Sequence, residues 1–155
     1  MNLSAQAKRC IGKGLLTVGE AVPPANSFLK KWGLRTKKEW FADRIVRVQL
    51  PARKSFKLAS LSDNYLSFEL FWRGAGYYEP ITTRVAQQLA RPGDTFIDVG
   101  ANIGFYSLVV VTTRPQIKVI AFEPNPKNYA LLAENVRANQ LTQITCEPVA
   151  LSDSE

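Results

Sequence analysis

The sequence predicts an α/β fold whose second half is a parallel sheet, and three observations carry that prediction. Short apolar runs at 95–99, 118–122 and 144–149 alternate with helical patterns at 104–113 and from 126 onward, the order of a βαβαβ unit with right-handed crossovers. A loop bearing two glycines, Gly100-Ala101-Asn102-Ile103-Gly104, follows the first run directly. The acids Asp98 and Glu123 stand at the ends of the first two runs, the edge where open α/β sheets receive ligands.

Residues 3–18 come first and place Leu3, Ala7, Cys10, Ile11, Leu15 and Val18 at helical spacing. Gly12 and Gly14 each weaken that helix by about 1 kcal/mol relative to Ala, so it needs a surface to dock on. Pro23-Pro24 ends it. "KKWGLRTKKEWF" follows, basic and with two Trp. "RIVRVQL" (44–50) and "SFKLAS" (55–60) alternate as strands around a "PARK" turn, which makes a small hairpin. Ser62 is placed to N-cap a helix through Tyr65, Leu66, Phe68, Glu69 and Trp72, with Gly74 just past its end. A helix over 81–90 puts Ile81, Val85 and Leu89 at i, i+4 and i+8, and "RPGD" ends it. The βαβαβ unit then begins at Thr95, and Asn125-Pro126 starts its second helix, with Tyr129, Leu132, Ala133 and Val136 on one face.

Two parts emerge from this pass: a basic extension over 1–60, comprising helix, linker and hairpin, and a nucleotide-binding type of unit over 61–155. Charge divides the same way. Residues 1–60 hold 13 Lys/Arg against 3 Asp/Glu, a net +10, while 61–155 carry −3. A basic front meets anionic membrane, nucleic acid or an acidic partner, or is simply a solvated tail. An apolar fraction of 46% with 21% charged residues excludes wholesale disorder. No run approaches the 18 apolar residues of a membrane span, and Gly12, Lys13, Gly14 and Glu20 break any secretory hydrophobic region. The expectation is a cytoplasmic protein with Cys10 and Cys146 as reduced, structural thiols. The chain has no histidine, which removes His general bases, Ser-His-Asp triads and most zinc sites. No metal is expected.

The loop discriminates between cofactors. The dinucleotide fingerprint G-x-G-x-x-G needs glycine where this chain has Asn102 and Phe105, so an NAD-linked oxidoreductase is disfavoured. Asp98 argues the same way, because a carboxylate repels a pyrophosphate and attracts a cation. S-adenosylmethionine (SAM) carries a sulfonium, an α-ammonium and a ribose, which suit Asp98, the loop and Glu123 together. Asn102 fits such a loop because Asn tolerates the left-handed region better than other side chains. It would add a donor and an acceptor near the methionine end of the ligand.

"DTFIDVGANIGFYS", "VIAFEPNP" with "NYALLAENVRAN", and "EPVALSDSE" resemble, in that order, the FkbM-type family of SAM-dependent methyltransferases, over roughly residues 76–155. The resemblance implies a Rossmann-like class I methyltransferase fold of seven strands and methyl transfer to a hydroxyl of a sugar, polyketide or similar small acceptor. It implies that Asp98, Gly100, Ala101, Asn102 and Gly104 line the methionine part, Glu123 the ribose and Asp153 the adenine amino group, with Ser152 contributing backbone. Glu79 in "YYEP" faces the glycine loop in the expected packing; it touches the ligand's ammonium or caps the helix from 81, the cap being favoured. Tyr77 and Tyr78 are expected to pack, and no residue stands out as catalytic base. The family's later strands have no counterpart before Glu155, so the chain is expected to be a truncated member or fragment, with an exposed sheet edge that invites an oligomer or partner. The competing class is a non-catalytic module that retains a cofactor half-site or a protein-binding surface.

Overall fold

The computed structural model describes residues 45–59 and 64–153; the expected helix at 3–18, the Trp-bearing basic stretch, Cys10 and Ser62 lie outside them. The hairpin forms as expected. Strand β1 (Val46–Gln49) pairs antiparallel with β2 (Ser55–Leu58), Val46 opposite Leu58 and Val48 opposite Phe56. Their alternation buries those four side chains on one face. The connection is one turn of 3-10 helix, with Ala52 and Arg53 at φ 59° and 58°. From it the Lys54 ammonium donates to the Thr113 carbonyl at 3.0 Å.

Helix α1 (Tyr65–Arg73) is capped by Asn64, whose Oδ1 accepts from the backbone of Leu66 and Ser67. The cap is thus two residues later than expected from Ser62, because an Asn carboxamide at this position reaches two helix N–H groups. Helix α2 (Pro80–Leu89) starts with Pro at its first position. Strand β3 (Thr95–Val99), helix α3 (Phe105–Thr113), strand β4 (Lys118–Phe122), helix α4 (Pro126–Ala138) and strand β5 (Ile144–Glu147) complete the βαβαβ unit. The last strand is two residues shorter than its apolar run.

The sheet is parallel, in the order β3-β4-β5, with Phe96, Val119 and Ile144 in one row and Asp98, Ala121 and Cys146 in a second. Helix α3 lies between this sheet and the hairpin. Burial on both sides explains why it is apolar all round, with Leu108 through Val111 fully buried. Lys54 therefore sits at the carboxyl end of α3, where a cation complements the helix dipole.

Two asparagines, Asn135 within α4 and Asn139 at its end, fasten the hairpin to that helix. Asn139 accepts from the Lys57 N–H and donates to the Lys57 carbonyl, both at 2.7 Å, as a neighbouring strand would. Asn135, fully buried, accepts from the Ala59 N–H at 2.6 Å and donates to the Ile103 carbonyl at 2.8 Å. The opposite face of the sheet is open: Ile97 and Val99 are 57% and 62% exposed. Among the described residues β3 has one strand neighbour, β4. Beside β3, α2 leaves Ile81, Val85 and Leu89 exposed, and a cavity of about 460 Å³ lies between α2, β3 and Tyr106.

Candidate functional site

The parallel sheet brings the carboxyl ends of β3, β4 and β5 together, and the site is built there. The loop after β3 needs left-handed backbone at three positions: Gly100 (φ 75°), Asn102 (φ 53°) and Gly104 (φ 84°). Asn102 does occupy the αL region that its residue type was expected to tolerate. The N–H groups of Gly100 and Ala101 both donate to the Phe122 carbonyl at 2.9 Å, which folds the loop back over the end of β4. A Cβ on Gly100 would meet nothing within 4 Å, so the loop backbone there faces open space that a ligand can enter. Gly104 serves packing instead: a Cβ would lie 2.5 Å from Leu132 Cδ1.

Glu123 is buried at 6% exposure and clasps both neighbouring loops. Its Oε2 accepts from the Asn102 N–H at 2.7 Å and its Oε1 from the Asn125 N–H at 2.8 Å. Each carboxylate oxygen can accept a second bond, so Glu123 retains capacity for a pair of ligand hydroxyls.

Asp98, 7% exposed, turns toward the first turn of α3. Its Oδ2 accepts from both the N–H and the hydroxyl of Ser107, at 3.1 and 2.6 Å. Burial raises the Asp98 pKa, and the Ser107 bonds oppose that rise without cancelling it. A carboxylate in that condition is stabilised by an arriving cation. These bonds fix the first turn of α3, and both fall on one of the two oxygens.

One expectation is corrected and another refined. Of the donor and acceptor expected of the Asn102 side chain, the acceptor is already engaged: Oδ1 accepts from Asn64 Nδ2 at 3.2 Å, because the cap of α1 packs against the loop. Glu79 was favoured as the side-chain cap of α2, yet it occupies the N-cap position in the left-handed region (φ 40°, ψ 60°) without capping. Its Oε2 accepts instead from the Tyr106 hydroxyl. Phe105, which would obstruct a dinucleotide-type loop, is buried here and packs edge-on against Phe56, Tyr78 and Tyr106. Tyr78 thus packs on Phe105, and its hydroxyl also bonds the Glu79 carboxylate. Ser152 and Asp153 are exposed on the segment beyond β5, at the same end of the sheet as Glu123. Among the described residues no group of side chains could hold a metal ion, and no helix is long and apolar enough to cross a membrane. Cys146 is a free, half-buried thiol whose pKa is raised by burial and by Glu147.

Sequence reasoning missed Asn64, Ser107, Tyr106 and Asn135. The signal for Ser107 was a single hydroxyl within an apolar helix nine residues after Asp98; that for Asn135 was an amide on the apolar side of α4.

The family model of the TRM5/TYW2 methyltransferase domain matches residues 78–154. A curated protein, methyltransferase sdnD of Sordaria araneosa, is 42% identical over 64 residues, covering 40% of this chain and 25% of its own length. The 31-O-demethyl-FK506 methyltransferase FkbM of Streptomyces tacrolimicus is 49% identical over 45 residues, covering 29% of this chain and 17% of its own. The chain thus spans a quarter or less of these relatives. Among solved structures, Trm5b from Pyrococcus abyssi superposes with a TM-score of 0.51 at 19% identity, over 74% of this chain and 30% of that one. TYW2 of P. horikoshii, solved in complex with MeSAdo, gives 0.51 at 18% identity, over 85% and 50%. The fold is Rossmann-like, and residues 78–154 carry the pattern of a SAM-dependent methyltransferase domain.

Proposed function

We propose that this chain supplies the cofactor-binding part of a SAM-dependent methyltransferase of the FkbM type, acting on a hydroxyl oxygen of a sugar, polyketide or similar small acceptor. The observation that carries the reading is the set of acceptors at one end of the sheet. Asp98 keeps Oδ1 beyond its Ser107 bonds, Glu123 keeps a lone pair on each oxygen, and the loop is open at Gly100. SAM fits that set, since it offers a cationic end and a ribose with two hydroxyls, and a pyrophosphate does not.

When bound, SAM supplies a methyl group activated by its sulfonium. Glu123 would receive the ribose hydroxyls while still holding the Asn102 and Asn125 N–H groups, so binding needs no rearrangement of the loop. The Gly100–Gly104 backbone and Asp98 would align the methionine end. Ser152 and Asp153 would reach the adenine from beyond β5, their place at the same sheet end being the support. The chain's part in catalysis is then alignment and exclusion of water, worth several kcal/mol when the methyl and the attacking oxygen are held in line. No general base is assigned. A cytoplasmic location belongs to the same proposal.

A second reading takes nucleic acid as the acceptor. It is favoured by the match to the TRM5/TYW2 domain and by the net +10 of residues 1–60. Salt-sensitive binding to oligonucleotides, lost on deleting 1–60, would support it over a small acceptor; the same deletion tested on anionic vesicles addresses a membrane anchor. For the cofactor itself the test is calorimetric titration of the purified chain with SAM and NAD, with Asp98→Ala as control. Saturable SAM binding abolished by that substitution is expected. A folded chain that binds no SAM would leave a non-catalytic interaction module as the better reading.

A further inference from the structure

We propose that Glu79, held in place by the Tyr106 hydroxyl, receives the α-ammonium group at the amino-acid end of the cofactor. This rests on the SAM reading and deepens it by assigning a subsite. Glu79 occupies left-handed backbone that a non-glycine residue enters at a cost of about 1–3 kcal/mol. An N-cap residue ordinarily has extended backbone and bonds the helix through its side chain, and Glu79 does neither. Its carboxylate turns to Tyr106 instead. Tyr106 lies two residues past Gly104, and the next residue, Ser107, holds Asp98. Consecutive residues of one helical turn therefore hold two carboxylates from different elements, so Glu79 and Asp98 flank the same first turn of α3, where the glycine loop ends.

The frame around Glu79 is stiff. Tyr78 and Tyr106 stand edge-on to the buried Phe105 ring, with centroids 5.2 and 5.3 Å away. Burial and the neighbouring Glu79 carboxylate raise the pKa of both phenols. Tyr106 consequently stays a hydrogen-bond donor at physiological pH, and the exposed Glu79 is its acceptor. Tyr106 bonds Oε2 and the Tyr78 hydroxyl also bonds this carboxylate, so two of its roughly four acceptor sites are used and the others remain for an ammonium. Glu79 is the proposed binding residue and Tyr106 a positioning residue.

The test compares two ligands on the full chain: SAM, and 5′-methylthioadenosine, which lacks the amino-acid end. Glu79→Gln keeps an oxygen for the Tyr106 hydroxyl and removes the charge. It should weaken SAM about tenfold or more, as for a hydrogen bond to a charged group, and leave methylthioadenosine within about twofold. Tyr106→Phe should weaken SAM by a smaller factor and spare methylthioadenosine likewise. Equal losses for both ligands would make the pair a structural staple and overturn the assignment, as would unchanged SAM affinity in Glu79→Gln. Methylthioadenosine binding that depends on Glu123 separates this failure from failure of the SAM reading, in which wild type would bind neither ligand.

Discussion

Gly104→Ala is the substitution whose cost follows most directly from the structure. Two terms add. The residue sits at φ 84°, where an L side chain costs about 1–2 kcal/mol. The new Cβ would also lie 2.5 Å from Cδ1 of Leu132, which is fully buried and cannot swing into solvent; overpacking of this kind costs about 1–3 kcal/mol. Reduced freedom of the unfolded chain returns about 0.4–1 kcal/mol, leaving a loss of about 1–4.6 kcal/mol. Gly100→Ala provides the contrast, because it has the same sign of φ and open space around its Cβ. After the same return from the unfolded chain it should cost only about 0–1.6 kcal/mol. Urea unfolding of both variants measures the difference, and a cycle with Leu132→Ala isolates the clash. In the double variant the methyl added at position 104 enters vacated space, so the two losses should fall short of additivity by about 1–3 kcal/mol. Equal costs at the two glycines, or additivity within about 0.5 kcal/mol, would refute the packing argument.

Asn135→Leu should destabilise the chain by about 2–4 kcal/mol in urea unfolding, because it strands the Ala59 N–H and the Ile103 carbonyl in the interior. Asp98 has a raised pKa, so its contribution is full below the ordinary aspartate range and is lost as pH rises through the raised folded value. Without cofactor, Asp98→Asn should therefore gain stability relative to wild type between acidic and neutral pH; urea midpoints across that range that move the opposite way would contradict the assignment. Glu123→Gln should lower SAM affinity by about tenfold or more, since charge-assisted acceptors are lost from the ribose, as read by titration calorimetry.

The βαβαβ order, the glycine loop and the acids at two strand ends were legible because each is written in local terms: apolar runs, turn residues and caps. Asn125 capped α4 as its neighbour Pro126 suggested, with Oδ1 accepting from Lys127 and Asn128. What was not legible depends on partners far apart in the chain. Asn135 looks like one more polar residue of a helix until the Ala59 N–H, 76 residues away, is set against it. Asn64 is a cap by local rule, but its second role requires Asn102, 38 residues on. Glu79 was misjudged for the same reason: the N-cap position suggested a local bond, and Tyr106, 27 residues later, offered a better one within an aromatic frame. The exposed stripe of Ile81, Val85 and Leu89 reads from sequence as a buried helix face, because a periodic pattern says that a face is apolar and not what lies opposite it.

The residues that would receive the cofactor are also those that close the loops around it. Glu123 bonds the glycine loop and the loop after β4 before any ligand arrives, and Asp98 fixes the start of α3. Such a site is pre-organised, so little of the binding energy is consumed in ordering it. The cost falls on the ligand-free state, which keeps a buried carboxylate at Asp98 and a left-handed glutamate at Glu79. A cationic ligand relieves the first, and the Tyr106 bond holds the second in readiness. Cofactor binding and stability are thus linked through the same atoms, and saturating SAM should raise the urea midpoint of wild type. In Asp98→Asn the chain without ligand is relieved already, and that rise should shrink toward zero.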